Sequence, residues 1–194
     1  MVIDFSKIDK SQRYYYISNS VVPRPIAWIS TFNSDGSINL APFSYFTPLS
    51  SQPPTLLVSI GHKKDGSPKD TLKNIRENKK ATISIATFSQ IEEIQKSALS
   101  LEYLESEVKK FDIKTTSILD QFPPIPTNSF ASFFCKYYKE VKLDNSSTIP
   151  VIFEIEYQYI NDQYIKDNKI DPSSVVARVG SLYANLINIT EANI

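Results

Sequence analysis

Residues 21–61 read VVPRPIAWISTFNSDGSINLAPFSYFTPLSSQPPTLLVSIG, and the punctuation inside this run decides the fold class. Residues 25–32 (PIAWISTF) and 37–47 (SINLAPFSYFT) are rich in apolar and aromatic residues. They flank Asn33-Ser34-Asp35-Gly36, a strong turn signal, so the pair is expected to form a hairpin. Pro42 interrupts the second strand. A central strand would lose a ladder hydrogen bond there, so an edge or a bulge is expected. A bulge would bare backbone amides, which suits a ligand site. Residues 55–60 (TLLVSI) add a third apolar strand.

Working outward, HKKDGSPKDT (residues 62–71) reads as a polar loop. Residues 69–79 (KDTLKNIRENK) follow as a short helix with Leu72, Ile75 and Arg76 on one face and Asp70 or Thr71 capping its start. Residues 81–87 (ATISIAT) alternate as a strand should. Residues 88–111 carry helical spacing without Gly or Pro, with Ile91, Ile94, Leu101, Leu104 and Val108 as an apolar stripe. After the stiff FPPIPTN connection, residues 130–142 and 150–160 complete the strands. Hairpins dominate and regular βαβ alternation is absent. The expected fold is therefore mainly β, an antiparallel barrel with peripheral helices, rather than a doubly wound sheet.

The 194 residues fit a single domain, 1–194, and 41% hydrophobic residues with 11 Tyr and 11 Phe can build its core. The 21 basic and 21 acidic residues cancel, which argues against a nucleic-acid partner. The start, MVIDFSKIDKSQRYYY, has no apolar secretion segment, and no run is long enough to span a bilayer. With one cysteine, a reducing compartment is the natural reading. A soluble, cytoplasmic protein without membrane partners is expected.

The chemistry-bearing residues are sparse. His62 is the only histidine, which excludes a multi-histidine metal centre, and it reads as a surface or hydrogen-bonding residue. Cys135, among aromatics in SFFCKYY, reads as an inert core thiol, and Trp28 as core. Tyr14-Tyr15-Tyr16 reads as packing or dimer surface. With only 4 glycines and no glycine-rich phosphate loop, the chain offers little acid–base or nucleophilic chemistry. If it is an enzyme, a cofactor must carry the reaction.

Two segments suit a phosphorylated aromatic ligand. The hairpin presents Arg24, Thr31, Asn39, Pro42 and Ser44 among apolar residues, able to read the heteroatoms of a planar ring. Lys69-Asp70-Thr71 brings a lysine, a hydroxyl and free amides to a helix start, where a phosphate dianion is favoured. Taken singly, the second segment is also an ordinary capped helix start, and Arg24 a surface ion-pair partner.

Together, RPIAWIST (24–31), GSINLAPFS (36–44), Pro53-Pro54 and KDTLKNI (69–75) resemble the flavin reductase-like family of FMN-binding split barrels. ASFFCKYYKEVKL (131–143) is similar to a later strand of that family, and VARVGSLYANL (176–186) to its terminal segment. The resemblance implies a six-stranded antiparallel split barrel that forms a homodimer, with FMN in clefts between subunits. Thr31, Asn39, Ala41, Pro42, Phe43 and Ser44 would line the isoalloxazine and ribityl chain, with amides of Ala41 to Ser44 at the ring edge. Ser59, Ile60, Gly61 and His62, with Lys69, Asp70 and Thr71, would surround the phosphate. Arg178 and Tyr183 would complete the cleft, supplied by either subunit. The implied activity is NAD(P)H-dependent reduction of flavin, with NAD(P)H and flavin as small-molecule substrates and no catalytic side chain. An FMN-holding electron carrier serving a redox protein partner, and a non-redox flavin binder, need the same contacts.

Overall fold

In the computed structural model, which describes residues 1–63 and 65–186, the Asn33–Gly36 turn joins β1 (Ala27–Phe32) to β2 (Ile38–Phe43). Gly36 has φ 79, a left-handed conformation open to glycine without a Cβ clash, and Asp35 Oδ1 accepts from the Ser37 amide at 2.9 Å. Lys64, within the expected polar loop, and residues 187–194 of the expected 1–194 domain lie outside the described residues.

The chain then forms β3 (Phe46–Ser51), β4 (Pro54–Gly61), the helix Asp70–Asn78, β5 (Lys80–Ile85), β6 (Ala131–Glu140) and β7 (Thr148–Ile160). These strands make one antiparallel sheet in the order β2-β1-β5-β6-β7-β4-β3. Its two end strands, β2 and β3, follow each other in sequence but are not paired, so the sheet stays open there. A single buried cluster draws on all seven strands, with Ile29, Phe43, Phe46, Val58, Ile83, Cys135 and Phe153 among its members. The architecture is a mainly β split barrel with peripheral helices, as expected. The strand count is seven rather than six because the expected strand 37–47 bends at Ser44–Tyr45, ending one edge and beginning the other. The turn is forced by the ladder, since Tyr45 O already accepts from the Ser59 amide of β4 at 2.8 Å.

Pro42 lies on an edge, not in a bulge. β1 and β2 keep unbroken register from Phe32↔Ile38 to Ala27↔Phe43. Antiparallel pairs alternate between hydrogen-bonded and non-bonded, and Pro42 opposite Trp28 falls at a non-bonded position. A proline there sacrifices nothing in the ladder. By the same alternation the Ala41 and Phe43 amides point into the ladder, and Leu40 points its amide away from it.

Among the described residues four α-helices decorate the barrel: α1 (Lys10–Ser20), α2 (Asp70–Asn78), α3 (Ile91–Ser97) and α4 (Glu107–Lys110). The expected helix over 88–111 is therefore two pieces. The break is tertiary in origin: α3 stops where Ser97 Oγ accepts from Trp28 Nε1 at 2.9 Å, and Ser106 opens α4 by accepting from the Lys109 amide. Trp28 is fully buried, so its N–H requires that partner. A second sheet forms where Arg24–Pro25 pairs with β8 (Val176–Val179), and β8 with β9 (Leu182–Asn185). Among the described residues no helix is long and apolar enough to cross a membrane.

Candidate functional site

The edge strand β2 is where the site is built. Ser106 Oγ donates to Ile38 O at 2.6 Å, and the outward Leu40 amide donates to Glu107 Oε2 at 2.9 Å. The start of α4 thus covers the first half of the edge and leaves the half around Pro42 open. Beside that opening lies a cavity of about 670 Å³ whose lining includes Asn39, Ala41, Pro42, Lys69, Thr71 and Glu107. His62 and Asp70 also face it, with Lys63, Asp65 and the stretch Ser97–Leu101.

A polar joint ties the hairpin to α2 under this cavity. Asn39 Nδ2 donates to Thr71 Oγ1 at 3.0 Å and to Thr31 Oγ1 at 3.2 Å. Asn74 Nδ2 donates to Thr31 Oγ1 at 3.1 Å and to Asn33 Oδ1 at 2.8 Å. Both amide hydrogens of Asn39 are spent, so the atom it offers the cavity is its carbonyl Oδ1, an acceptor.

The start of α2 departs from the expected capping. Lys69 occupies the cap position and makes no side-chain cap bond. Asp70 instead accepts from Lys63 Nζ at 2.7 Å, and the Thr71 hydroxyl is taken by Asn39. The opening amides of a nine-residue helix are therefore left without a side-chain acceptor at the cavity wall. Lys69 Nζ stands 5.5 Å from the centre of the Phe43 ring, and desolvation holds its ammonium below the ordinary lysine value. Among the described residues no carboxylate pairs with it.

Glu107 is the residue that the sequence reading missed. It is 6% exposed, and burial pushes its carboxyl up to about 7, against the lowering effect of the Leu40 hydrogen bond. Nothing local in LESEVKK marks it, because its partner is 67 residues away.

A smaller hollow of about 200 Å³ adjoins the first, sharing Pro42 and Ala98 with it. Phe43, Ser44, Arg178 and Tyr183 line it, with Tyr14, Ile26 and Ile94. Arg178 and Tyr183 are cross-strand partners in β8 and β9, and the guanidinium carbon lies 4.5 Å from the ring centre. The terminal segment thus lines the smaller hollow of its own chain.

Of the remaining expected residues, Arg24, Thr31, Ser59, Ile60 and Gly61 support these walls and line neither hollow. Arg24, expected as a ring reader or a surface ion-pair partner, is 4% exposed. It donates to Ser18 O and, at 3.2 Å, to Gly180 O. Thr31 is fully buried beneath Asn39, Ile60 is core, and Ser59 and Gly61 lie along β4. The expected ring-edge amides of Ala41 to Ser44 are largely committed: Pro42 has none, and those of Ala41 and Phe43 point into the ladder. His62 Nδ1 lies 3.0 Å from Ser147 O. Cys135 is buried and its thiol is pushed well above the ordinary range by burial, as an inert core thiol would be.

The model of the flavin reductase like domain family matches residues 19–168. An uncharacterized Bacillus subtilis protein, YwrF, is 29% identical across 95% of this chain and 94% of its own. Component B of a Bacillus cereus nitrilotriacetate monooxygenase superposes with a TM-score of 0.91 at 22% identity, covering 99% of this chain and 98% of that one. The Pseudomonas fluorescens 2-nitrobenzoate 2-nitroreductase NbaA superposes with a TM-score of 0.88 at 25% identity, covering 100% and 96%.

Proposed function

Because the chain belongs to the family of flavin reductase-like domains, we propose that residues 1–194 form one FMN-binding domain that works in the cytoplasm as a homodimeric NAD(P)H-dependent flavin reductase. The observation that carries this reading is the meeting of an uncapped helix start and an unpaired lysine with an open strand edge in one cavity. The donor set fits the group. A phosphate finds the amides of α2, the Lys69 ammonium and the Thr71 hydroxyl together, and its charge relieves the desolvated lysine. A planar heteroaromatic ring finds Ala41, Pro42 and the Asn39 carbonyl on the open half of β2. The volume of about 670 Å³ lies within the range of roughly 300–1,000 Å³ usual for cofactor sites.

When bound, FMN supplies the hydride acceptance that this chain's own side chains lack. The protein's part is placement. The Asn39–Thr71 joint fixes the strand edge against the helix start, so ring and phosphate contacts are held at one separation. Pro42, rigid in φ and without an amide, offers the ring a flat apolar face. The adjoining hollow leaves space for a second molecule beside the ring site, with water displaced by Ile26, Phe43 and Ile94. Glu107 keeps the covering helix on the strand edge.

Anaerobic titration of the FMN-loaded protein with NADH and with NADPH tests the reading. Rapid bleaching of the flavin band at about 450 nm is expected. A flavin that binds but is reduced only by a protein partner would make the chain an electron carrier, and one inert to every reductant a flavin binder.

A further inference from the structure

We propose that the smaller hollow is a second ligand site, built for a one-ring aromatic carboxylate whose carboxylate pairs with Arg178. The first observation is charge. Arg24 and Arg178 are directly opposite each other across the short sheet pairing, and neither meets a carboxylate among the described residues. Like charges opposed on one sheet normally disfavour the pairing. Arg24 is spent on three backbone carbonyls, those of Ser18, Val21 and Gly180, and its Nε is buried without a partner. Arg178 is half-buried and lines the hollow, and its side chain makes no hydrogen bond among the described residues. The pair gives this wall a positive field that no carboxylate among the described residues balances.

The second observation is shape. The Arg178 guanidinium carbon lies over the Tyr183 ring, 4.5 Å from its centre, and among the described residues no group accepts a hydrogen bond from its N–H edge. That edge matches a planar, two-oxygen acceptor. The site is rigid from behind. Gly180 closes the β8–β9 turn at φ 55, its amide donates to Ser18 O at 3.1 Å, and Arg24 holds its carbonyl.

The third observation is size and lining. About 200 Å³ holds some seven waters at roughly 30 Å³ each, which is room for one ring and its acid group. Ile26, Pro42, Phe43 and Ile94 give the hollow one apolar side against which a ring can lie, and Ser44 and Arg178 give it a polar side for the acid group. Because Pro42 and Ala98 belong to both cavities, the ligand would lie beside the ring site, a placement that rests on the flavin reading above.

Calorimetric titration of the purified protein with benzoate, benzamide and inorganic phosphate, with and without FMN, tests the site. Benzoate is expected to bind at least about 10-fold more tightly than isosteric, uncharged benzamide, the effect of one charged hydrogen-bonding partner. Arg178→Met should lose that preference, and Arg178→Lys should keep part of it. The benzamide comparison is made on the unaltered protein, so it stands even if a variant fails to fold. No benzoate binding, equal binding of benzoate and benzamide, phosphate binding tighter than benzoate, or full affinity in Arg178→Met would each overturn the proposal. FMN titration of the same sample separates the two readings. Arg178-dependent benzoate binding without FMN binding would sink the flavin reading alone, and the reverse result would sink the second site alone.

Discussion

Asn39 Nδ2 donates to Thr71 Oγ1 at 3.0 Å, joining the edge strand of the hairpin to the first turn of α2 across 32 residues of sequence. Each residue is buried, so neither group has water as an alternative partner. Thr71→Val keeps the shape and removes the acceptor, leaving an Asn39 hydrogen unpaired. We expect a loss of about 1–3 kcal/mol in unfolding free energy, measured by urea denaturation. FMN affinity should fall with it. Unchanged stability would show that the joint does not tie the two elements.

Lys69→Ala is expected to weaken FMN about 10- to 150-fold and riboflavin far less, because only FMN carries the phosphate. Fluorescence titration of both ligands reads the difference. Equal losses would place Lys69 away from the phosphate.

Glu107 makes stability depend on pH. Its folded value of about 7 lies above the ordinary 4.5, raised first by burial and further by Asp70 and Glu105, so the folded state holds its proton more tightly. That contribution is fully present below about pH 4.5 and is lost as pH rises through about 7. At about 1.4 kcal/mol per unit, the loss is on the order of 3 kcal/mol. Glu107→Gln retains an acceptor for the Leu40 amide and removes the titration. Urea midpoints from pH 4.5 to 8 should fall less for the variant, and parallel curves would refute the assignment.

Gly180 is required twice over. Its φ of 55 is left-handed, and a Cβ there would strike the Asn19 side chain. Gly180→Ala should cost more than about 1 kcal/mol. Adding Asn19→Ala should return the steric part, a coupling that a double-mutant cycle measures. Additive effects would show that the two residues do not compete for space.

The dimer reading predicts a concentration dependence. Tyr15, Val21 and Leu182 are 61%, 61% and 68% exposed, and Tyr14 borders the smaller hollow. Sedimentation across a dilution series, followed at the flavin band, should show flavin released as dimers dissociate. A monomer that keeps stoichiometric FMN at every concentration would defeat a site shared between subunits.

The sequence by itself determined what short-range chemistry controls. Asn33–Gly36 specified the hairpin, because left-handed φ and side-chain-to-amide bonds are local demands. Pro42 restricted its strand to an edge or a bulge, because a missing amide is tolerated only where the ladder needs none, and the unbroken register of the folded hairpin made it an edge. Trp28 and Cys135 were legible as core from their apolar surroundings, and the motifs from Arg24 to Ile75 were legible as a family resemblance. Tertiary structure decided what depends on partners far along the chain. Helical spacing ran unbroken through 88–111, yet the Trp28 N–H meeting Ser97 and the Leu40 amide meeting Glu107 divided it into α3 and α4. Asp70 and Thr71 looked like caps until Lys63 and Asn39 claimed them, which left the helix start open at the cavity. Arg24 read as a ring contact or a surface charge, but the carbonyls of Ser18 and Gly180 drew it inside. In each case a buried polar group had to be satisfied, and only the folded chain brought a partner within hydrogen-bond reach.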